Sequence, residues 1–309
     1  MTKQTRQWVA VAVLFILTAV IILFLRSQPE LLQSLQNVTF ASLFYLTVVR
    51  IGIFAMNGLF LREFATKFGV QLSFHEWFGL ASVTTMGNYI TPFSGGLLIR
   101  AAYLKKRHRL PYAQFTTMLT SNYLIMFWLI GVIGLLALSA LGQGWQRYWP
   151  IVLLFGSVVV GVSVIFLFPV QHVPWDNRIG RFLNTLLTGW FMVKRDYGLL
   201  LRLTLLTALT IGLNALSFWL AYQALGQAIS FMAALLLGLV AAFSIFINLT
   251  PGNLGIQEAM VGLSAELLGA GGGEGLLAVL LIRAVTVLCA FTLGPLYSYL
   301  LTRQSILKE

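Results

Sequence analysis

The sequence predicts an all-α integral membrane protein: a helical bundle with six full spans, two re-entrant broken hairpins and inverted-repeat architecture. Three observations lead to this prediction. First, 59% of the 309 residues are hydrophobic and only 9% are charged, which is more apolar surface than a water-soluble chain can bury. Second, basic residues collect in alternate loops. Third, two apolar segments are interrupted by the same pattern of Asn, Thr-Pro and Gly. We predict one membrane domain over residues 1–309.

The first half contains three predicted spans and one hairpin. Residues 8–25 form an uncleaved first span, because 18 apolar residues reach about 27 Å as a helix and no small-residue cleavage site follows. Residues 40–60 and 112–138 form the second and third spans. Residues 76–99 are apolar but have basic residues beyond both ends, so we expect a re-entrant hairpin that enters from the cytoplasm. The basic residues that assign these sides are Lys3, Arg6, Arg62, Lys67, Arg100, Lys105, Lys106, Arg107 and Arg109.

The second half repeats this order upside down. Residues 150–170, 199–225 and 276–301 are the fourth to sixth spans, and residues 231–268 form a hairpin that enters from outside. The N- and C-termini are then cytoplasmic, as in a multi-pass protein of a bacterial-type inner cell membrane. The alternative of eight full spans differs only at the two broken segments.

The two predicted repeats cover about residues 1–142 and 150–303. Inside the second repeat, residues 176–195 place apolar side chains at helical spacing, with basic and polar side chains on the other face. This pattern predicts an interfacial helix on the inner leaflet. A simple connector, held inside by its positive charge, explains the pattern equally well.

Each break combines Asn, Thr-Pro and a Gly four residues after the Pro. Breaks at matching places in two halves are the best sequence indication of a transporter site at the membrane midplane. Thr is a good N-cap and Pro suits the first helical position, so each break is predicted to begin a half-helix whose free N–H groups bind phosphate or carboxylate. The glycines allow close backbone approach to a ligand, or only tight helix packing. The break residues assigned to this site are Asn88, Thr91, Pro92, Gly96, Asn248, Thr250, Pro251, Gly252, Asn253 and Gly255.

Four ionisable residues in or beside apolar runs complete the predicted site: Arg50, Arg100, Glu258 and Arg283. A charge at mid-bilayer costs about 2.5–3.5 kcal/mol on insertion scales, so each needs a partner or a cavity. Glu258 has either Arg283 or Arg50 as its counter-ion. A Glu258–Arg283 pair could be structural, or it could serve headgroup binding or proton coupling.

The sequence offers no catalytic constellation. The three histidines fall near loops or span ends, no nucleophile is accompanied by a base, and the single cysteine, Cys289, lies in an apolar run. No phosphate-binding loop of an NTP-driven pump occurs. We therefore expect no enzyme activity, no metal, no cofactor and no nucleic-acid partner.

The break motifs resemble the lysylphosphatidylglycerol synthase transmembrane-domain family of flippase-like proteins. The likeness runs over nearly the whole chain and rests on Thr91-Pro92 through Gly96 to Arg100, on the second motif up to Glu258, and on the later Arg283. The resemblance implies movement of anionic or aminoacylated phospholipids, or of polyprenyl-linked lipids, between leaflets. It also leads us to expect that the soluble synthase domain of the bifunctional members is missing.

A second class of function stays open. A non-transporting membrane scaffold, or a regulatory subunit of a lipid-synthesising enzyme, would have the same composition, and that enzyme would then be its partner. The net charge of +11 fits contact with anionic membrane lipids, although it mostly reflects the basic loops. The oligomeric state is not predicted.

Overall fold

A computed structural model describes residues 33–91, 94–142, 146–167, 173–174, 177–247 and 250–306. The predicted first span, Pro92 and Asn248 lie outside these residues. The described residues form helices, turns and loops without a strand. The helices are α1 Phe40–Lys67, α2 Phe74–Ile90, α3 Gly95–His108, α4 Tyr112–Ala140, α5 Trp149–Leu167, α6 Arg178–Lys194, α7 Tyr197–Ala224, α8 Phe231–Phe243, α9 Ile256–Leu267 and α10 Gly272–Ile306.

Five of these helices, α1, α4, α5, α7 and α10, are long and apolar enough to cross a membrane. They coincide with the predicted second to sixth spans. The helices of the broken segments are shorter: α2 has 17 residues and α9 has 12, or about 26 Å and 18 Å at 1.5 Å per residue. Helix α9 is too short for the roughly 30 Å of a hydrocarbon core, whereas α2 comes near that length.

Several helices begin at side chains that satisfy their first backbone N–H groups. Thr39 and Ser42 form a capping box at α1. The Asp196 carboxylate accepts the Leu199 N–H at 3.0 Å at the start of α7, and the Ser230 hydroxyl accepts the Ala233 N–H at 3.1 Å at the start of α8. Such caps define where the apolar segments become helical.

The antiparallel pair α1 and α7 packs along its whole length. Lys67 Nζ lies 2.7 Å from Asp196 Oδ2 at one end, and Asn37 Nδ2 donates to the Leu225 carbonyl at 3.3 Å at the other. The first end belongs to the basic face of the bundle, whose residues include Lys67, Lys105, Lys106, Arg107, Arg109, Lys194, Arg195, Arg202 and Arg303. The opposite end carries Arg147, Glu266 and Glu274.

Helices α2 and α9 pack end to end along α10. Gly79 near the start of α2 lies against Tyr297, and Met86 lies against Gly294. Nearer the start of α10, Ala265 of α9 contacts Gly275. Both short helices run antiparallel to α10, and the end of α2 meets the beginning of α9 beside its middle.

A helix, α6, occupies the segment predicted as interfacial, but much of its apolar stripe contacts protein. Leu187, Trp190 and Val193 are buried. The Trp190 ring stacks on Phe166 of α5 with centroids 3.7 Å apart, and its Nε1 donates to the Phe166 carbonyl. Phe182 remains exposed. Placement of α6 on the inner leaflet stays a prediction.

Candidate functional site

The first break closes one helix instead of opening the next. Helix α2 ends at Ile90, and the Thr91 N–H and hydroxyl both donate to the Gly87 carbonyl, at 2.9 Å and 2.6 Å. Helix α3 begins only at Gly95, after Ser94 in the left-handed region at φ 55°. The prediction that Thr91 is the N-cap of the helix that follows the first break is therefore wrong. Its side chain instead terminates α2.

Helices α2 and α3 form an antiparallel hairpin. The Gly96 N–H donates to Asn88 Oδ1 at 3.0 Å, and one turn away Arg100 Nε donates to Thr84 Oγ1 at 2.9 Å. A Cβ on Gly96 would overlap the Thr84 carbonyl. Gly96 thus permits tight helix packing, the structural alternative considered for the glycines.

Glu76 connects the start of α2 to the end of α3, at the open end of this hairpin and outside the five candidate spans. Its carboxylate lies 2.8 Å from His108 Nε2 and accepts hydrogen bonds from the Tyr103 hydroxyl and from the Ser73 N–H and hydroxyl. Burial by itself raises the pKa of Glu76, but the bonds from His108 and Ser73 outweigh it and bring this pKa down to about 2. The carboxylate therefore stays ionised and holds the two ends of the hairpin together.

The second break contains two short 3-10 turns, Ser244–Ile247 and Pro251–Asn253. Thr250 is the N-cap of the second turn with Pro251 in its first position, as predicted, but that turn spans three residues and α9 begins at Ile256. Gly252 and Gly255 have φ of 60° and 86°, a region that glycine adopts without strain.

A buried ion pair fastens this break to α10. Arg283 Nε lies 2.6 Å from Glu258 Oε1, and the two side chains are only 8% and 2% exposed. Arg283 also donates to the Gly252 carbonyl at 2.7 Å and to Gln257 Oε1 at 3.1 Å. Glu258 Oε2 accepts the Gly255 N–H at 2.7 Å. Arg283 is thus the counter-ion of Glu258, and the chain's own carboxylate occupies the start of α9.

The tips of the two breaks touch. A Cβ on Gly252 would lie 2.5 Å from the Tyr89 ring, and the Arg283 guanidinium lies 5.8 Å from the centroid of that ring. Asn253 Nδ2 donates to Ser244 Oγ at 2.7 Å within the second break. The structure therefore brings Arg283 and the second break together, and the tip of the first break contacts them through Tyr89.

Arg50 and Arg100 differ from Arg283, because neither forms an ion pair with a carboxylate of the described residues. Arg50 donates from Nη1 to Asn214 Oδ1 at 3.1 Å, whereas its buried Nε has no hydrogen-bond partner in the described part of the chain. These two side chains are the uncompensated cations inside the bundle as far as the structure describes it.

A small cavity lies between α1, α3 and α4. Its volume is about 50 Å³, and its polar lining consists of Asn57, Arg100 and Asn122. Sequence reasoning placed Arg100 in the site but left out both asparagines. The signal that could have found them is an amide side chain within an apolar span, which needs a partner or a cavity as a charge does.

Among the described residues, no group of three or more His, Cys, Asp or Glu side chains could hold a metal ion. Cys289 is a buried free thiol. The arrangement offers cationic and amide hydrogen-bond donors within a membrane bundle, which suits binding of an anionic group.

Comparison with known proteins identifies a family. Residues 7–294 match the family described as "Lysylphosphatidylglycerol synthase TM region", so the similarity covers most of the chain. Neither the curated proteins nor the solved structures contain a match.

Proposed function

Because the chain belongs to the lysylphosphatidylglycerol synthase TM-region family, we propose that it moves an anionic or aminoacylated phospholipid, or a polyprenyl-linked lipid, between the leaflets of the cell membrane. The chain is a multi-pass helical membrane protein of this family. Transport would be flippase-like, with no catalytic residue of its own.

The observation that carries this proposal is the meeting of the two breaks beside α10, in a bundle that also holds Arg50 and Arg100, neither of which pairs with a carboxylate of the described residues. A lipid headgroup needs a polar path across the hydrocarbon core, and irregular backbone at that depth is tolerated only beside protein or a water-filled cavity. Ionisable groups inside a membrane bundle mark substrate pathways by default.

Helix pairings support an inverted repeat. Helix α1 packs with α2 and α10, and α7 packs correspondingly with α8 and α4. The hairpin helix α2 packs on α10, and its counterpart α8 packs on α4, while α1 and α7 pair with each other. In transporters built this way, one repeat rocks against the other around a fixed site. We place the basic end in the cytoplasm, so the first hairpin enters from inside and the second from outside.

The predicted site residues then fall into three roles. Arg50 and Arg100 supply positive charge to the headgroup, and the backbone of the breaks at Asn88, Thr91, Thr250 and Pro251 shapes the path. Glu258, Arg283, Gly252, Asn253 and Gly255 hold the second break in place.

Leaflet exchange in proteoliposomes tests the proposal. Headgroup-labelled phosphatidylglycerol, lysylphosphatidylglycerol or a polyprenyl phosphate is placed in liposomes with the purified protein, and a membrane-impermeant reagent measures how fast the inner label reaches the outer leaflet. We expect exchange above that of protein-free liposomes for at least one lipid. Arg202→Gln, which removes an exposed ion pair with Glu63, should exchange lipid like the wild type.

A rate equal to that of protein-free liposomes for every lipid would reject the flippase function. The scaffold alternative would then be preferred, and co-purification of a lipid-synthesising enzyme from the native membrane would test it.

A further inference from the structure

The cavity between α1, α3 and α4 lies deep in the bundle. Asn57, Arg100 and Asn122 each lie eight to ten residues from the basic end of their helix, or about 12–15 Å at 1.5 Å per residue. The hydrocarbon core of a bilayer is about 30 Å thick. The polar lining of the cavity is therefore close to mid-depth, where a charge without a partner is costly.

Most hydrogen-bond donors of this cavity have no partner in the described part of the chain. Arg100 Nε donates to Thr84 Oγ1, but its two terminal nitrogens have no hydrogen-bond partner among the described residues. The amides of Asn57 and Asn122 also have none there. Arginine presents a planar set of donors that matches phosphate oxygens, and amide N–H groups add to it. The lining is thus complementary to an oxyanion.

The apolar walls of the cavity and its exposed side at Asn57 indicate that its ligand is an amphiphile. Its walls include Phe60, Phe115 and Leu119, and the Asn57 side chain is exposed at the outer surface of α1. A volume of about 50 Å³ corresponds to about three or four waters, which is comparable to the four oxygens of a phosphate group. The rest of a lipid would leave the cavity past Asn57 and lie against apolar helix surface.

We infer that the Asn57–Arg100–Asn122 cavity binds the phosphate group of a membrane phospholipid part-way across the bilayer. This inference rests on the proposed lipid movement and gives it a location that is separate from the Glu258–Arg283 pair. Arg100 carries the charge, and the two asparagines orient the phosphate oxygens.

Lipid binding in micelles tests the inference without requiring transport. The purified protein in a neutral detergent is titrated with dioctanoyl phosphatidylglycerol, and native mass spectrometry counts the bound lipid. Parallel titrations use dioctanoylglycerol, which has the same chains without phosphate, and inorganic phosphate, which has the anion without chains. We expect Arg100→Gln to weaken phosphatidylglycerol binding about tenfold or more, Asn122→Leu to weaken it less, and dioctanoylglycerol binding to be unchanged by either.

Thr84→Val is the matched control, because it removes the hydroxyl that accepts from Arg100 Nε and leaves the cavity donors in place. Thermal unfolding midpoints establish that each variant is folded, and Asn122→Leu provides the test if Arg100→Gln is not. We expect Thr84→Val to retain phosphatidylglycerol binding. Loss equal to that of Arg100→Gln would show that Arg100 only braces α3 on α2, and would overturn the inference.

Three further outcomes separate the inference from the proposed function. Unchanged phosphatidylglycerol binding in folded Arg100→Gln or Asn122→Leu overturns the site, whether or not the wild type exchanges lipid. Equal affinity for inorganic phosphate and phosphatidylglycerol would make the cavity an ion site instead of a lipid site. Arginine-dependent binding without any leaflet exchange would keep the site and reject the flippase function.

Discussion

Arg283 Nε and Glu258 Oε1 lie 2.6 Å apart in the interior of the bundle, and each residue also binds the backbone of the second break. Arg283 donates to the Gly252 carbonyl, and Glu258 accepts from the Gly255 N–H. The pair neutralises two buried charges and fixes the irregular backbone that joins α8 to α9. This geometry favours the structural role among those that the sequence left open.

The ion pair predicts that loss of one partner destabilises the protein more than loss of both. Glu258→Gln should lower the free energy of unfolding by about 3–5 kcal/mol, because it leaves Arg283 charged and buried without its partner. Glu258→Gln combined with Arg283→Gln should recover part of that loss. Thermal or denaturant unfolding in detergent measures both. Glu63→Gln, which removes a partly exposed ion pair with Arg202, is the control and should change stability by less than about 1 kcal/mol. A folded Glu258→Gln protein of normal stability that loses only lipid exchange would instead assign the pair to transport.

The close contact of α2 and α3 predicts that Gly96 tolerates no side chain. Gly96→Ala should cost about 1–3 kcal/mol, since its methyl group would overlap the Thr84 carbonyl and force the hairpin apart. Gly161→Ala in α5 has no atom within 4 Å of the added carbon, and should be neutral or slightly stabilising. Unfolding midpoints of the two variants, measured in the same detergent, decide this. Equal midpoints would contradict the packing role of Gly96.

The proposed topology predicts from which side of the membrane the ends of each hairpin are accessible. In a Cys289→Ser background, cysteines at Gln71 and Lys106, which flank the first hairpin, should react with an impermeant maleimide only from the cytoplasmic side. Cysteines at Ala228 and Glu266, which flank the second, should react only from outside. All four native side chains are exposed. If the two ends of either hairpin were labelled from opposite faces of the membrane, that segment would consist of a full span and would not be re-entrant.

The Glu76 network predicts a defined pH dependence. The pKa of this carboxyl is lowered from 4.5 to about 2 in the folded protein, so its contribution to stability is full above pH 4.5 and is lost as the pH falls through about 2. Wild-type stability should therefore exceed that of Glu76→Gln at pH 4.5, and the difference should shrink as the pH falls from 4.5 towards 2. Unfolding midpoints of both proteins across this range test it. A difference that stays constant down to pH 2 would contradict the assignment.

Part of the candidate site could be predicted because its signals are local. Thr250-Pro251 is a helix-start signal and begins a turn as expected. Thr91-Pro92 is the same signal, yet Thr91 ends α2, because its hydroxyl and N–H both find the Gly87 carbonyl one turn back. A start signal and a stop signal share these residue types, and only the path of the following chain distinguishes them.

Hydropathy, basic loops and the two breaks determined the α-helical membrane class and the positions of five spans, since whether a segment is apolar enough to cross a bilayer depends on its own residues. Tertiary structure alone decided which arginine neutralises Glu258, which buried arginines have no carboxylate partner among the described residues, and that Asn57, Arg100 and Asn122 line one cavity. These relations join different helices. The physical reason is that packing, and not sequence spacing, determines the distance between side chains on separate helices, and that distance decides whether a buried charge is paired or left available to a ligand.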